Sequence, residues 1–186
     1  MLLDSNGWFD GIRHCPSPNF NARPSAEISL LVIHNISLPP GQFGTGQVQA
    51  LFENRLDPTA HPYFAGIADL RVSAHFLIER DGGIVQFVSC RDRAWHAGQS
   101  CFEGRENCND FSLGIELEGT DTLPYSDAQY TALIGLSRRL LRAYPAIGAN
   151  RIRGHSDIAP GRKTDPGPAF DWPRLLEGLR ERGEPS

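Results

Sequence analysis

Between Gly154 and Pro168 the chain reads GHSDIAPGRKTDPGP. An imidazole (His155), an ammonium (Lys163) and a carboxylate (Asp165) lie close together in it. The stretch is too rich in Gly and Pro for a helix or a central strand. It reads as a loop, and a loop carrying such chemistry usually has something to hold in place. His155 and Asp165 suit two ligands of a catalytic zinc, which usually takes three protein ligands and leaves its fourth position to water. The third ligand would come from elsewhere, and His34 is the best candidate. The chain has six histidines but no HExxH, so the familiar helical zinc signature is absent. Spacing alone leaves two readings of His34 open, a ligand or a packed, hydrogen-bonded core residue.

Water on such a metal has its pKa lowered to about 7. A base must still take its proton, and a cation or donor must stabilise the oxyanion. Glu116 stands on the polar side of an otherwise apolar strand and can be the base; the alternative is a solvated edge carboxylate. Glu118 shares its face and could exchange roles with it. Lys163 is two residues before Asp165, so in an extended segment both side chains project the same way; the alternative is a surface lysine. Cysteine–histidine nucleophilic catalysis is the rival chemistry. None of Cys15, Cys90, Cys101 and Cys108 sits in a strand-to-helix elbow or beside a base.

The elements around these residues follow from periodicity. Residues 1–28, with Pro16, Pro18 and Pro24, read as an irregular arm. Ser29–Ile36 (SLLVIHNI) is a near-continuous apolar run, as expected of a strand covered on both faces. His34 falls near its carboxyl end, where α/β sheets tend to place their sites. A short helix is expected over Gly46–Leu56, a loop over 57–70 and a hairpin over Val72–Val88 turning at Asp81-Gly82-Gly83. Residues 91–110 read as irregular. Phe111–Glu118 alternates, with Leu113, Ile115 and Leu117 on one side and Gly114, Glu116 and Glu118 on the other. Ser126 opens the longest helix with Gln129 as capping-box partner. Its expected buried stripe is Tyr130, Leu133, Ile134, Leu140, Leu141 and Tyr144, and Pro145 ends it. Arg151–Arg153 suits a last short strand, and Asp171 caps a final helix. The order predicts an α/β fold, a mixed sheet flanked by helices.

At 186 residues the chain suits one domain, 1–186. A net charge of −4 with no basic run argues against a nucleic-acid partner. No segment approaches the roughly 20 apolar residues of a membrane span. Met1–Asn6 lacks the features of a signal peptide, so a cytoplasmic protein with free thiols is expected.

Five stretches carry a resemblance across nearly the whole chain: LLVIHNISLPPGQF (30–43), HPYFAGIADLRVSAH (61–75), RAWHAG (93–98), NDFSLGIELEGTDTL (109–123) and Gly154–Phe170. They resemble the zinc N-acetylmuramoyl-L-alanine amidases, which share a fold with phage lysozyme-type amidases and animal peptidoglycan recognition proteins. More narrowly, they are similar to the cytosolic branch acting on 1,6-anhydro-muropeptides. The resemblance implies a central mixed sheet with a shallow cleft holding one Zn²⁺ on His34, His155 and Asp165. It implies Glu116 as general base and Lys163 as transition-state stabiliser. The reaction implied is hydrolysis of the amide between the lactyl group of anhydro-muramic acid and L-alanine, in peptidoglycan recycling. Loss of that activity would trigger an inducible β-lactamase. Trp95 would offer a face to the sugar, Asn35 would hydrogen-bond sugar or peptide, and Arg71 would pair with a peptide carboxylate. Asn107 stands where close relatives carry a second basic residue, and Arg105 is the nearby substitute. His75 and His96 fit structural or supporting roles. A monomer is expected. The competing functions are a non-catalytic peptidoglycan-fragment receptor and a lysin acting on intact wall.

Overall fold

The computed structural model of the chain describes residues 1–180, so the last six residues of the expected 1–186 domain lie outside the described residues. Six strands build the central sheet: β1 (Arg13–His14), β2 (Leu30–Ile36), β3 (Phe76–Ile78), β4 (Ile84–Gln86), β5 (Ser112–Glu118) and β6 (Ile152–Gly154). The helices are α1 (Gln47–Phe52), α2 (Asp127–Ala143), the single turn α3 (His155–Ile158) and α4 (Trp172–Arg180). Across the sheet the order is β1–β4–β3–β5–β2–β6. The β3–β4 hairpin is antiparallel and the other pairings are parallel, so the sheet is mixed, as expected.

The two central strands are buried from end to end, or nearly so, because both faces are covered. Strand side chains alternate between faces. Leu31 and Ile33 of β2 therefore join Leu113, Ile115 and Leu117 of β5 in a core with Leu133, Leu136 and Leu140 of α2 and Leu175 of α4. On the opposite face Leu30 and Val32 pack on Ala97, Phe111 and Ile158. Next to them, Leu77 and Val85 pack on Val48, Leu51 and Phe52 of α1. His34 and Glu116 share that second face and are paired in register. The period-2 pattern thus separates a core face from a chemical face.

The capping box of α2 forms as expected. Ser126 Oγ accepts the Gln129 N–H at 3.1 Å, and Gln129 Oε1 accepts the Ser126 N–H at 3.1 Å. Gln129 also donates to the carbonyls of Ile78 and Glu118, fastening the helix start to the sheet. The buried stripe is rotated from the expected one. Leu136 and Ser137 are inside, while Ile134, Leu141 and Tyr144 are only partly buried. Ile134 lies on the flank that meets α4 at Gly178.

Other departures are local. α1 stops at Phe52 because Asn54 takes a left-handed conformation, φ 58°. The N-terminal arm is not wholly irregular: β1 lines the sheet edge, and Phe20–Asn21 pairs with Arg93–Ala94. Two-residue strands flanked by prolines leave no periodic trace. The stretch from Gly154 is not all loop, because His155–Ile158 makes one helical turn. Asp157 Oδ2 accepts the Gly154 N–H at 2.8 Å there, and most of the Gly and Pro fall after the turn. All four cysteines are unpaired.

Leu133 is fully buried between α2 and the sheet. Leu133→Ala is expected to lower unfolding free energy by about 2–5 kcal/mol, through lost transfer energy and a residual cavity. Urea denaturation measures this, and a loss well under 1 kcal/mol would contradict the packing described.

Candidate metal centre

β6 lies parallel to β2 with Gly154 opposite Ile33. The chain therefore delivers His155 beside His34 as it leaves the sheet. The loop that follows folds back, and the Ser156 N–H donates to the Asp165 carbonyl at 3.0 Å. Asn35 Nδ2 donates to Pro166 O at 3.1 Å and to Asp121 Oδ1 at 2.8 Å. Tyr125 OH donates to Pro166 O at 2.7 Å. Gly167, at φ +80°, packs so tightly that a Cβ there would lie 2.3 Å from Asp121 Cα. These contacts fix the loop, and so the carboxylate, against the end of β2.

Three atoms converge. His34 Nδ1 is 3.0 Å from His155 Nδ1, and Asp165 Oδ2 is 3.1 Å from each. Both imidazoles are buried and the carboxylate is nearly so. The far nitrogens face other partners. His34 Nε2 meets His96 Nδ1 at 2.9 Å, and His155 Nε2 meets the Ala97 carbonyl at 3.1 Å. An Nε2–H on each imidazole leaves both Nδ1 lone pairs pointing at Asp165. Two neutral imidazoles and one carboxylate are a donor set suited to zinc, whereas calcium and magnesium favour oxygen throughout.

Burial dominates the electrostatics. It pushes His34 down to about 4, against an upward pull from the Asp165 hydrogen bond. Burial also holds His75 and His96 well below the ordinary histidine value. Burial works to raise the Asp165 carboxyl, but in the metal-free chain a proton placed on Nδ1 of His155 or His34 donates to it and outweighs burial, so the group lies below the usual carboxylate range. Glu116 is pushed well up by burial and by Asp165, with Lys163 opposing. Its Oε2 is buried and meets no hydrogen-bond partner among the described residues.

The cluster opens into a cleft of about 570 Å³. Asn35, Trp95, Glu116 and Lys163 line it beside the three converging residues, with an apolar wall from Leu38, Ile67 and Leu70. Trp95 is anchored by Nε1–H donating to Asn21 Oδ1 at 2.7 Å. Arg71 is exposed and donates to the carbonyls of Ala68 and Leu70; its neighbours Leu70 and Val72 line the cleft. Glu118 stands outside the lining, and its oxygens accept backbone N–H groups of Gly44 and Arg80. It pins the 37–46 loop, which argues against an exchange of roles with Glu116. Arg105 pairs with Glu27 at 2.8 Å and stacks on Phe111. Asn107 lines a separate, smaller pocket with Gln99 and Arg162. Sequence reasoning did not find Asn109, Asp121 or Tyr125. Their contacts run to backbone atoms or to residues far along the chain, which no spacing rule encodes.

The buried imidazoles set a pH dependence for the metal-free chain. His34, His75 and His96 bind protons more readily unfolded than folded. Their contribution is therefore full above the unfolded histidine value, about 6.5, and is lost as pH falls toward about 4 for His34. Glu116 acts oppositely, since its raised value favours the folded state at low pH. Three imidazoles outweigh one carboxyl. The urea midpoint of metal-free protein is expected to fall steadily between about pH 6.5 and pH 4.5. A flat or rising midpoint would contradict this.

Comparison with known proteins agrees with the geometry. The pattern of the N-acetylmuramoyl-L-alanine amidase family matches residues 24–168. The 1,6-anhydro-N-acetylmuramyl-L-alanine amidase AmpD of Citrobacter freundii is 63% identical over 176 residues, covering 94% of this chain and 93% of that protein. A crystal structure of a selenomethionine AmpD derivative superposes with a TM-score of 0.93 at 60% identity, over 96% of this chain and 99% of that one. The Escherichia coli amidase AmiD, solved with the substrate anhydro-N-acetylmuramic acid-L-Ala-D-γ-Glu-L-Lys, superposes with a TM-score of 0.61 at 30% identity, over 85% of this chain and 60% of that one. The chain belongs to the N-acetylmuramoyl-L-alanine amidase family.

Proposed function

We propose that the chain is a zinc amidase that hydrolyses the amide between the lactyl group of 1,6-anhydro-N-acetylmuramic acid and L-alanine in muropeptides. The observation that carries this reading is the convergence of His34, His155 and Asp165 within 3.1 Å, in a cleft that also holds buried Glu116. AmpD relatives about 60% identical bear the name of this activity, and the AmiD structure contains an anhydro-muramoyl peptide.

His34, His155 and Asp165 would hold the zinc, which when bound supplies Lewis acidity toward a carbonyl and acidifies water. Glu116 is kept proton-avid by burial and by Asp165. It takes a proton from the attacking water and passes it to the departing amine. The water oxygen joins the lactyl carbonyl carbon, the C–N bond breaks, and a carboxylate and the L-alanine amine result. Lys163 offers its positive charge to the oxyanion on the way.

Trp95 presents a ring face to the sugar or its acetamido group. Arg71, whose hydrogen bonds among the described residues go to carbonyls of its own loop, is the cation for a peptide carboxylate. Asn35 commits amide hydrogens to Asp121 and Pro166, so its contact with substrate runs through the amide oxygen. We read the whole chain as one amidase domain and the reaction as a step of cytoplasmic peptidoglycan recycling. Anhydro-muropeptides accumulating without it would induce a β-lactamase where one is inducible. Among the described residues no helix is long and apolar enough to cross a membrane. We read the chain as a monomer.

Two outcomes test this. Chelation should abolish turnover of anhydro-muropeptide and added zinc should restore it, while intact sacculi remain poor substrates. Binding without zinc-dependent cleavage would favour a receptor, and equal turnover of sacculi would favour a lysin. Glu116→Ala should lower kcat by about 10²–10⁴ with zinc still bound, as for a lost general base. Near-normal kcat would remove Glu116 from that role.

A further inference from the structure

The Trp95–Gly98 segment crosses behind the metal centre, and both ligand imidazoles lean on it. His34 Nε2 lies 2.9 Å from His96 Nδ1, with the rings nearly perpendicular. His96 Nε2 in turn lies 3.2 Å from Ser112 Oγ. One proton arrangement satisfies this chain with His34 Nδ1 free to bind metal: His34 donates to His96, and His96 donates to Ser112. One residue on, the Ala97 carbonyl accepts the Nε2–H of His155 at 3.1 Å. The backbone between the two contacts is itself clamped. Asn109 Oδ1 accepts the N–H of His96 at 3.1 Å and of Ala97 at 2.8 Å. Arg162, three residues before Asp165, donates to the Ala97 carbonyl at 2.6 Å. Gly114 completes the fit, since a Cβ there would lie 2.6 Å from the His96 ring. The gap in the alternation of β5 is the seat of this imidazole.

We infer that His96 and Asn109 are positioning residues of the metal centre: His96 fixes the tautomer and direction of His34, and Asn109 holds the backbone whose carbonyl does the same for His155. This rests on the zinc reading above. It goes further in assigning one two-residue segment the orientation of both nitrogen ligands. Neither residue is one of the three converging donors, so the role is read in the metal, not only in turnover.

The experiment measures zinc dissociation constants by chelator competition, the visible spectrum of the cobalt-substituted protein, and the melting of the metal-free protein. The chains compared are the unaltered one, His96→Phe, His96→Asn and Asn109→Leu. His96→Phe keeps a ring but loses the acceptor, so zinc affinity should fall about 10–100-fold with an altered cobalt spectrum. His96→Asn puts an amide oxygen near the place of Nδ1 and should regain most of that loss. Asn109→Leu should weaken zinc similarly, and it decides the matter alone if His96→Phe does not fold. Folded variants with the affinity and cobalt spectrum of the unaltered chain would overturn the assignment. So would variants whose only change is a lower melting temperature. An unaltered chain that binds no zinc would instead overturn the metal reading itself, and this inference with it.

Discussion

Three atoms with lone pairs face one another at the carboxyl end of the sheet, each about 3 Å from the other two. Without a proton or a cation between them, two imidazole nitrogens and a carboxylate oxygen would repel. The protein invests much of its architecture in holding this arrangement. β2 supplies one atom, the turn after β6 the second and the folded-back loop the third. Each comes with its own restraint, from His96, from the Ala97 carbonyl and from the Asn35–Pro166–Tyr125 contacts. A site held this firmly before metal arrives keeps more of the metal's binding energy for binding.

The alternation of strand side chains makes this affordable in stability. The same seven residues of β5 carry Leu113, Ile115 and Leu117 into the core under α2 and turn Glu116 toward the metal centre. A register slip of one residue would exchange the two faces. The apolar face therefore anchors the polar one, and the buried carboxyl is carried on a strand buried along its whole length. Glu118, two residues along on the same face, meets backbone N–H groups and stabilises the 37–46 loop. Two glutamates of one strand face thus do different work because their neighbours differ.

Burial has opposite consequences for the two kinds of titratable group. It keeps the His34 and His96 imidazoles neutral, and it keeps Glu116 avid for a proton, which is the property a base needs. Asp165 escapes the same pressure in the metal-free chain because a proton on the Nδ1 of either imidazole is donated to it. One dry environment thus acts on His34 and Glu116 together, and Lys163 moderates its effect on Glu116 from the cleft.

Strong, local signals were legible from the residues alone. The apolar run of β2, the alternation of β5, the Ser126–Gln129 cap and the Gly-Gly hairpin turn each follow from short-range sterics or hydrogen bonding, so they appear in the sequence as pattern. The residue types needed for zinc chemistry were legible too, as were the motifs carrying the family resemblance. Spacing by itself left His34 undecided between core and ligand. Only the tertiary structure shows what His34 stands beside, by pairing β6 with β2 and bringing together residues 121 positions apart. The same holds for the contacts of His96 and Asn109 and the different surroundings of Glu116 and Glu118. Their work depends on backbone carbonyls, amide hydrogens and burial contributed by distant segments, and those exist only once the chain has folded.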